Sequence, residues 1–427
     1  MGNKKNEIHV VDMFCGGGGE STGLFTAAEK IGFKIKLSAI NHWERAIETH
    51  AANYPSAEHY CESVEHLDPT KVVSSGKLDL LWASPECTHH SKARGGRPKS
   101  EQSRATAWNV LKWASELYIE RIIIENVPDF LTWGPLNEKG LIIKSRAGST
   151  FRAFIHGLRS LGYNVDWKIL CAADYGASTT RKRLFIQAVK GRKKILWPAP
   201  TNMEGKNNLF GLPAWEPADK IIDWALPCPS IFSRTKPLAE ATLKRIESGL
   251  KKFSGKQAEP FIAILRGQSK TRSKKSPLPT ITCSGAHYAL IEPFITAIGQ
   301  TSAKDRSRSL SEPLSTIVTK QEHCLVKTFI TKYFGTGENV QGLDSPLSTI
   351  TTKDRFGLAI PDGTVCDIGF RMLQPHELAA ATGFPAGYRF TGTKSEVVKQ
   401  IGNAVPPVFA EKLFTSYVGK ENVKRSF

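Results

Sequence analysis

The chain has 427 residues, 40% hydrophobic and 23% charged, enough for a large core and more than one domain, and this excludes wholesale disorder. Its eight cysteines (15, 61, 87, 171, 228, 283, 324, 366) stand singly with no CxxC pair, which argues against a disulfide framework or a structural zinc site. A formal net charge of +18 points to a polyanionic partner such as nucleic acid, with a solvated basic surface as the plainer alternative. The amino end, Met1 to Lys5, precedes no apolar core of a signal peptide, and no apolar run approaches a membrane span. A reducing, intracellular location is therefore expected.

In chain order, Ile8 to Phe14 predicts a first buried strand, followed by the glycine turn Cys15 to Ser21 and a helix from Thr22 to Ile31. Glycines between a strand and a helix let a ligand approach the backbone beside the helix amino terminus. A second strand, Lys34 to Ile40, ends at Asn41-His42-Trp43-Glu44, where Rossmann-like sheets commonly reach a ribose. A helix through Ala46 to Asn53 leads to a third strand end at Tyr60-Cys61-Glu62-Ser63. The apolar run Leu78 to Ala83 then breaks at Ser84-Pro85, since proline cannot donate to a sheet ladder. Glu86, Cys87 and Thr88 follow, which puts the Cys87 thiol at the carboxyl end of that strand.

The loop Lys92 to Lys99 is basic and glycine-rich, suited to touching phosphates or closing over a base, or else simply solvated. Helical periodicity returns from Ala105 to Tyr118, and the strand Arg121 to Ile124 delivers Glu125-Asn126-Val127. A carboxylate at the end of an isoleucine strand is costly unless paired or used. Strands at Trp167–Leu170 and Leu184–Val189 flank a predicted loop carrying Thr179-Thr180-Arg181-Lys182-Arg183. The alternation from 8 to 190 predicts a mostly parallel, doubly wound α/β sheet.

Beyond Trp197 the pattern changes, with one helical stretch at Leu238–Leu250. Three units then open on Pro260-Phe261-Ile262, Pro293-Phe294-Ile295 and Thr328-Phe329-Ile330. Each later carries a Pro-Leu-x-Thr-Ile segment, at Pro277, Pro313 and Pro346. Such periodicity signals repeated supersecondary units, each expected to be a strand, a polar loop and a second extended segment. Residues 231–360 hold 20 Lys or Arg against 10 Asp or Glu. Arg266, Lys270, Arg272, Lys274 and Lys275 fall in the first polar loop, and Lys304, Arg306 and Arg308 in the second. Stacked units are expected to present these loops on one side, as a face for a phosphate backbone. The third loop, Gly335 to Asp344, has no Lys or Arg. Arg371 to Ala379 predicts the start of a helix that stops at Gly383-Phe384-Pro385, and Val408 to Val418 predicts a last amphipathic helix.

Taken together and in this order, these segments resemble the cytosine-C5 DNA methyltransferase family over nearly the whole chain. Phe14 to Gly19 resembles its S-adenosylmethionine loop, Cys87 its nucleophile, Glu125-Asn126-Val127 its Glu-Asn-Val motif, and Arg181 with Arg183 its paired arginines. Arg371 to Pro385 and Gln400 to Pro407 resemble its last two motifs. The resemblance implies a Rossmann-like S-adenosylmethionine-dependent methyltransferase sheet with a second, smaller β-rich target-recognition domain. It divides the chain into a catalytic and cofactor-binding domain (1–199), a target-recognition domain (200–368, with repeats over about 260–360) and final motifs (369–427) returning to the first domain.

The same resemblance implies Cys87, Glu125, Arg181 and Arg183 as catalytic. It puts Phe14, Gly16, Gly18, Gly19, Asn41, His42, Glu62, Ser63, Glu86 and Asn403 around S-adenosyl-L-methionine, with S-adenosyl-L-homocysteine as product and no metal. His89 and His90 are expected to line the pocket or pack, since no second ligand cluster accompanies them. The implied partner is duplex DNA, met by a monomer in a prokaryotic or phage-infected cell, with no membrane contact. The target carbon is inaccessible inside a duplex, so the cytosine must be flipped out. A Cys87 thiolate added at carbon 6 makes carbon 5 enamine-like, and Glu125 would stabilise ring nitrogen N3.

Three departures stand out. Glu86-Cys87-Thr88 replaces the usual Pro-Cys-Gln, Asn41 replaces an acidic ribose ligand, and Thr179 stands where Gln precedes the arginines. They leave open a cytosine-5 alkyltransferase using a modified S-adenosylmethionine and a non-catalytic DNA-binding protein; a tRNA cytosine-5 methyltransferase stays open because one branch of the family methylates tRNA.

Overall fold

The computed structural model describes residues 7–85, 106–138, 140–204, 210–231, 234–238, 243, 261–264, 271–280, 288–296, 307–309, 329–332, 340–341, 356–359 and 367–425. Cys87 and Glu86, the 92–99 loop, His89, His90 and nearly all of the 238–250 stretch lie outside the described residues. The chain divides into two compact units: Met1–Ile221 with Pro277–Gly285 and Leu378–Phe427, and Ile222–Ser276 with Ala286–Glu377.

The first unit is built on seven strands: β1 (Glu7–Met13), β2 (Lys34–Ile40), β3 (Glu58–Tyr60), β4 (Lys77–Ala83), β5 (Tyr118–Asn126), β6 (Tyr163–Cys171) and β7 (Lys182–Lys190). Their order in the sheet is β3-β2-β1-β4-β5-β7-β6. β1 to β5 run parallel, and β7 is antiparallel to both its neighbours. The apolar runs of β1, β4 and β5 follow from this position, because a central parallel strand is covered on both faces. Period-two alternation divides them. Leu80, Trp82 and Ile123 face one core cluster, while Leu81, Ala83, Ile122 and Ile124 face the other.

Helices supply both covers. On the first face lie α1 (Gly19–Ile31) and the last helix, Pro407–Arg425, whose Phe409, Leu413 and Phe414 are fully buried. They pack tightly because Gly23 has no side chain: a Cβ there would collide with the Pro407 carbonyl. The second face takes Asn109–Glu116 and Ser149–Ser160 through Val110, Trp113, Phe151, Phe154 and Leu158. The helix α2 (Glu44–Asn53) links β2 to β3. Sheet order reverses between β1 and β4, so the carboxyl ends of these two strands border the crevice where ligands of such sheets collect.

The second unit is β-rich. Its three repeats each form an antiparallel hairpin: Phe261–Ile264 with Thr271–Ser273, Tyr288–Thr296 with Ser307–Ser309, and Phe329–Lys332 with Val340–Gln341. The first two share a sheet with Asp367–Met372, while the third pairs with Phe356–Ala359 in a separate one. Phe261–Ile264 and Tyr288–Thr296 pair antiparallel. Of the residues expected on one basic face, Arg266, Lys270, Lys304 and Arg306 lie outside the described residues. Arg272 lies in a strand rather than a loop. Arg371 likewise lies in the strand Asp367–Met372 rather than at the start of a helix; the helix is Pro375–Thr382.

Among the described residues, no helix is long and apolar enough to cross a membrane.

Candidate active site

The turn after β1 is a strained backbone held in place. Phe14 has φ +69°, the single non-glycine positive φ among the described residues, and Gly16 and Gly18 follow at +52° and +84°. A bulky side chain in this region costs free energy and persists only where the surroundings fix it. Here the Cys15 N–H donates to the Ile40 carbonyl at 3.1 Å, and the Gly18 N–H to the Cys15 carbonyl at 2.9 Å. α1 starts at Gly19, three residues earlier than its periodicity indicates, so its free N–H groups face the turn. Gly18 must be glycine for a second reason, since a Cβ would strike the Tyr388 hydroxyl. That hydroxyl donates to the Gly17 carbonyl at 2.7 Å. Sequence reasoning missed Tyr388, because nothing in its own segment shows that it reaches the turn.

Beneath the turn lie two buried carboxyls that the sequence also did not single out. Asp12 is 0% exposed and Glu20 2%. Ser21 Oγ donates to Asp12 Oδ2 at 2.6 Å, and Ser84 Oγ to Glu20 Oε1 at 2.6 Å. Burial pushes both groups above the usual carboxylate range, and the Asp12 charge raises Glu20 further. Asp12 Oδ1 has no hydrogen-bond partner among the described residues.

The candidate nucleoside residues gather past the ends of β2 and β3, which are paired at Ile40 and Tyr60. Asn41 Oδ1 accepts the Trp43 N–H at 2.9 Å, leaving the amide N–H groups as its donors toward a ribose hydroxyl. His42 and Glu62 are exposed, with Glu62 3.9 Å from His66, and Ser63 is half-buried. Asn403 is exposed at the end of the helix Lys394–Asn403.

Glu125 lies within β5 rather than after it, and Lys182 and Arg183 belong to β7 rather than to a loop. Strand pairing places Glu125 opposite Phe185 and Ile124 opposite Ile186. Arg183 Nε meets Glu125 Oε1 at 2.7 Å with both side chains about nine-tenths buried. Arg181 is 1% exposed and also acts on Glu125 electrostatically. Desolvation nevertheless outweighs both guanidinium groups, and the Glu125 pKa is raised. Asn126 Nδ2 donates to the Pro85 carbonyl at 3.2 Å and so ties β5 to the root of the Cys87 segment.

Thr179 has a structural use. Its Oγ1 donates to the Pro279 carbonyl at 2.9 Å, beside a parallel bridge to Leu278. The first Pro-Leu-x-Thr-Ile segment is thus a strap on the stretch before Arg181, within the first unit, and not the second half of a stacked repeat.

Comparison with known proteins gives this geometry a lineage. The sequence profile of the C-5 cytosine-specific DNA methylases matches residues 8–418. The chain belongs to that family. It is 24% identical to the type II methyltransferase M.AgeI of Thalassovita gelatinovora over 95% of this chain and 98% of that one. It is 25% identical to M.Sau3AI of Staphylococcus aureus over 43% of this chain and 44% of that one. In fold it is similar to a Spodoptera frugiperda DNMT2 variant, with TM-score 0.53 and 13% identity over 96% of this chain and 98% of that one. The methylase is therefore an enzyme of the family that methylates carbon 5 of cytosine in DNA, an S-adenosylmethionine-dependent class. Its residues fit such a cofactor: the glycine turn opens the backbone to it, and Asp12 offers a buried oxygen without a partner among the described residues.

Proposed function

We propose that this methylase transfers a methyl group to carbon 5 of a cytosine flipped out of duplex DNA, by way of a transient bond between Cys87 and carbon 6. The observation that carries the proposal is the buried Glu125 carboxyl, raised in pKa yet clamped by Arg183, one strand away from the β4 end that leads to Cys87. A carboxyl raised by burial takes up a proton more readily than a free one and can hydrogen-bond N3 as the thiolate adds. Arg181 is proposed to hold the base carbonyl, and Arg183 to keep Glu125 in place.

S-adenosylmethionine, when bound, supplies an electrophilic sulfonium methyl and leaves as S-adenosylhomocysteine. Around it we assign the Phe14–Gly19 turn with Gly16 and Gly18, Asn41 and His42 toward the ribose, Glu62 and Ser63 toward the nucleoside, and Asn403; Glu86 is proposed to lie beside the transferable group. No metal is required by these assignments. The second unit, with the basic residues of 231–360, is proposed to recognise the DNA, and the protein to act as a monomer inside a prokaryotic or phage-infected cell.

Incubation with labelled S-adenosylmethionine and either plasmid DNA or bulk tRNA, followed by mass spectrometry of the nucleosides, tests the reading. It expects 5-methyldeoxycytidine from DNA and its loss in Cys87→Ser. Label in tRNA alone, a heavier substituent on cytosine, or no product with either substrate would contradict it.

A further inference from the structure

Asp12 and Glu20 are buried, and among the described residues no cation neutralises them. Their side-chain donors among the described residues are two serine hydroxyls, and Asp12 Oδ1 has no partner there. Among the described residues, the titratable groups that face the pair are Cys15 from the turn, Glu125 from β5, His50 from α2, His59 from β3 through His50, and Tyr54 at the end of α2. None of them supplies a positive charge near neutral pH. Burial lowers His50 to about 3 and also lowers His59. Two full negative charges there would repel each other with little solvent to screen them.

We propose that Asp12 and Glu20 share a proton while the crevice is empty and release it when a sulfonium donor binds, the cation replacing the proton as their counter-charge. The proposal rests on S-adenosylmethionine occupying the glycine turn. Glu20 is bound to Ser84, three residues before Cys87, and the methyl must reach a base held by Cys87. The charged sulfur therefore belongs at the β4 side of the crevice, where Glu20 is anchored.

The structure also contains a route for the proton. Asp12, Ser21, His50 and His59 form one file of hydrogen bonds, at 2.6 Å from Ser21 to Asp12, 2.9 Å from Ser21 to His50 and 2.9 Å from His50 to His59. With Asp12 protonated, Asp12 donates to Ser21, Ser21 to His50 Nε2, and His50 Nδ1–H to His59 Nε2. With Asp12 ionised, every bond in the file reverses. His50 changes tautomer, and the proton that left Asp12 is balanced by one delivered to His59 Nε2. His59 is half-buried and can then lose a proton from its other nitrogen to water. The thioether product lacks the sulfonium charge, so the pair takes a proton back by the reverse path and the product is held less tightly.

Calorimetric titration of the full chain, in two buffers of unlike ionisation enthalpy near neutral pH, counts the protons. Binding of S-adenosylmethionine is expected to release about one proton per site, and S-adenosylhomocysteine markedly fewer. Glu20→Gln should cut the release by more than half and weaken S-adenosylmethionine more than S-adenosylhomocysteine. The comparison of the two ligands on the parental protein stands even if that variant does not fold. Tight binding without proton release, or equal release with both ligands, overturns this inference and leaves the cofactor reading intact. Failure to bind either ligand overturns both.

Discussion

Glu125 and Arg183 form a buried pair whose two halves are not equivalent. Removing the carboxylate with Glu125→Gln keeps a hydrogen-bonding group but takes away the acid, and should lower kcat about 10²–10³-fold with little change in DNA affinity. Single-turnover methylation beside a binding titration checks this. Arg183→Ala leaves Glu125 buried with less compensation and should also destabilise the fold, by about 3–5 kcal/mol in denaturant unfolding.

The Asp12–Glu20 pair makes stability depend on pH. A carboxyl whose folded pKa is raised adds stability below its unfolded value, and this is lost as pH rises through the folded value. His50, buried neutral, acts the opposite way, opposing stability only as pH falls below its ordinary 6.5. Above that point the histidine contribution has ended while Asp12, raised by burial to about 7, is still titrating. The thermal midpoint of the cofactor-free protein should therefore fall as pH rises through the Asp12 value of about 7, and Asp12→Asn should flatten the fall. A midpoint that rises over this range would contradict the assignment. Glu125 was visible in the sequence because a charge ends an isoleucine run. The Asp12–His59 file was not, because its four members come from four elements, β1, α1, α2 and β3, and meet only once the sheet is assembled.

At the scale of elements, the close approach of α1 to the last helix depends on Gly23. Gly23→Ala should separate the two helices, at a cost typical of an overpacked core, about 1–3 kcal/mol, and weaken cofactor binding through the turn that α1 begins. Chemical denaturation and a cofactor titration on one sample report both effects. In the second unit, Arg371 donates through both terminal nitrogens to Glu377 at 2.9 and 2.8 Å, and Glu377 also accepts the Asp223 and Gln374 N–H groups.

The strands of the sheet were predictable because a covered parallel strand needs an uninterrupted apolar run, as in Ile122 to Ile124. Arg371 was misassigned to a helix because the six-residue strand that carries it is recognised by its partner, Tyr288–Thr296, and not by its own pattern. For the same reason the repeat was visible by period while its geometry was not. Periodicity says that three hairpins recur, but only pairing shows that the first two oppose each other.

Over the whole molecule, the net charge of +18 and the family assignment concern the same partner. If the basic residues meet phosphates, DNA affinity should fall about 10³-fold or more between 50 and 200 mM salt. A flat salt response would detach the charge from DNA binding. The chemistry itself hangs on Cys87. The most direct measurement uses a duplex carrying 5-fluorocytosine at the target cytosine, incubated with the enzyme and S-adenosylmethionine, then digested and sequenced by mass spectrometry. The account predicts a denaturation-resistant complex whose cross-linked peptide carries the pyrimidine on Cys87, absent in Cys87→Ser. Attachment at another residue, or methylation of ordinary DNA by the serine variant at the parental rate, would contradict it.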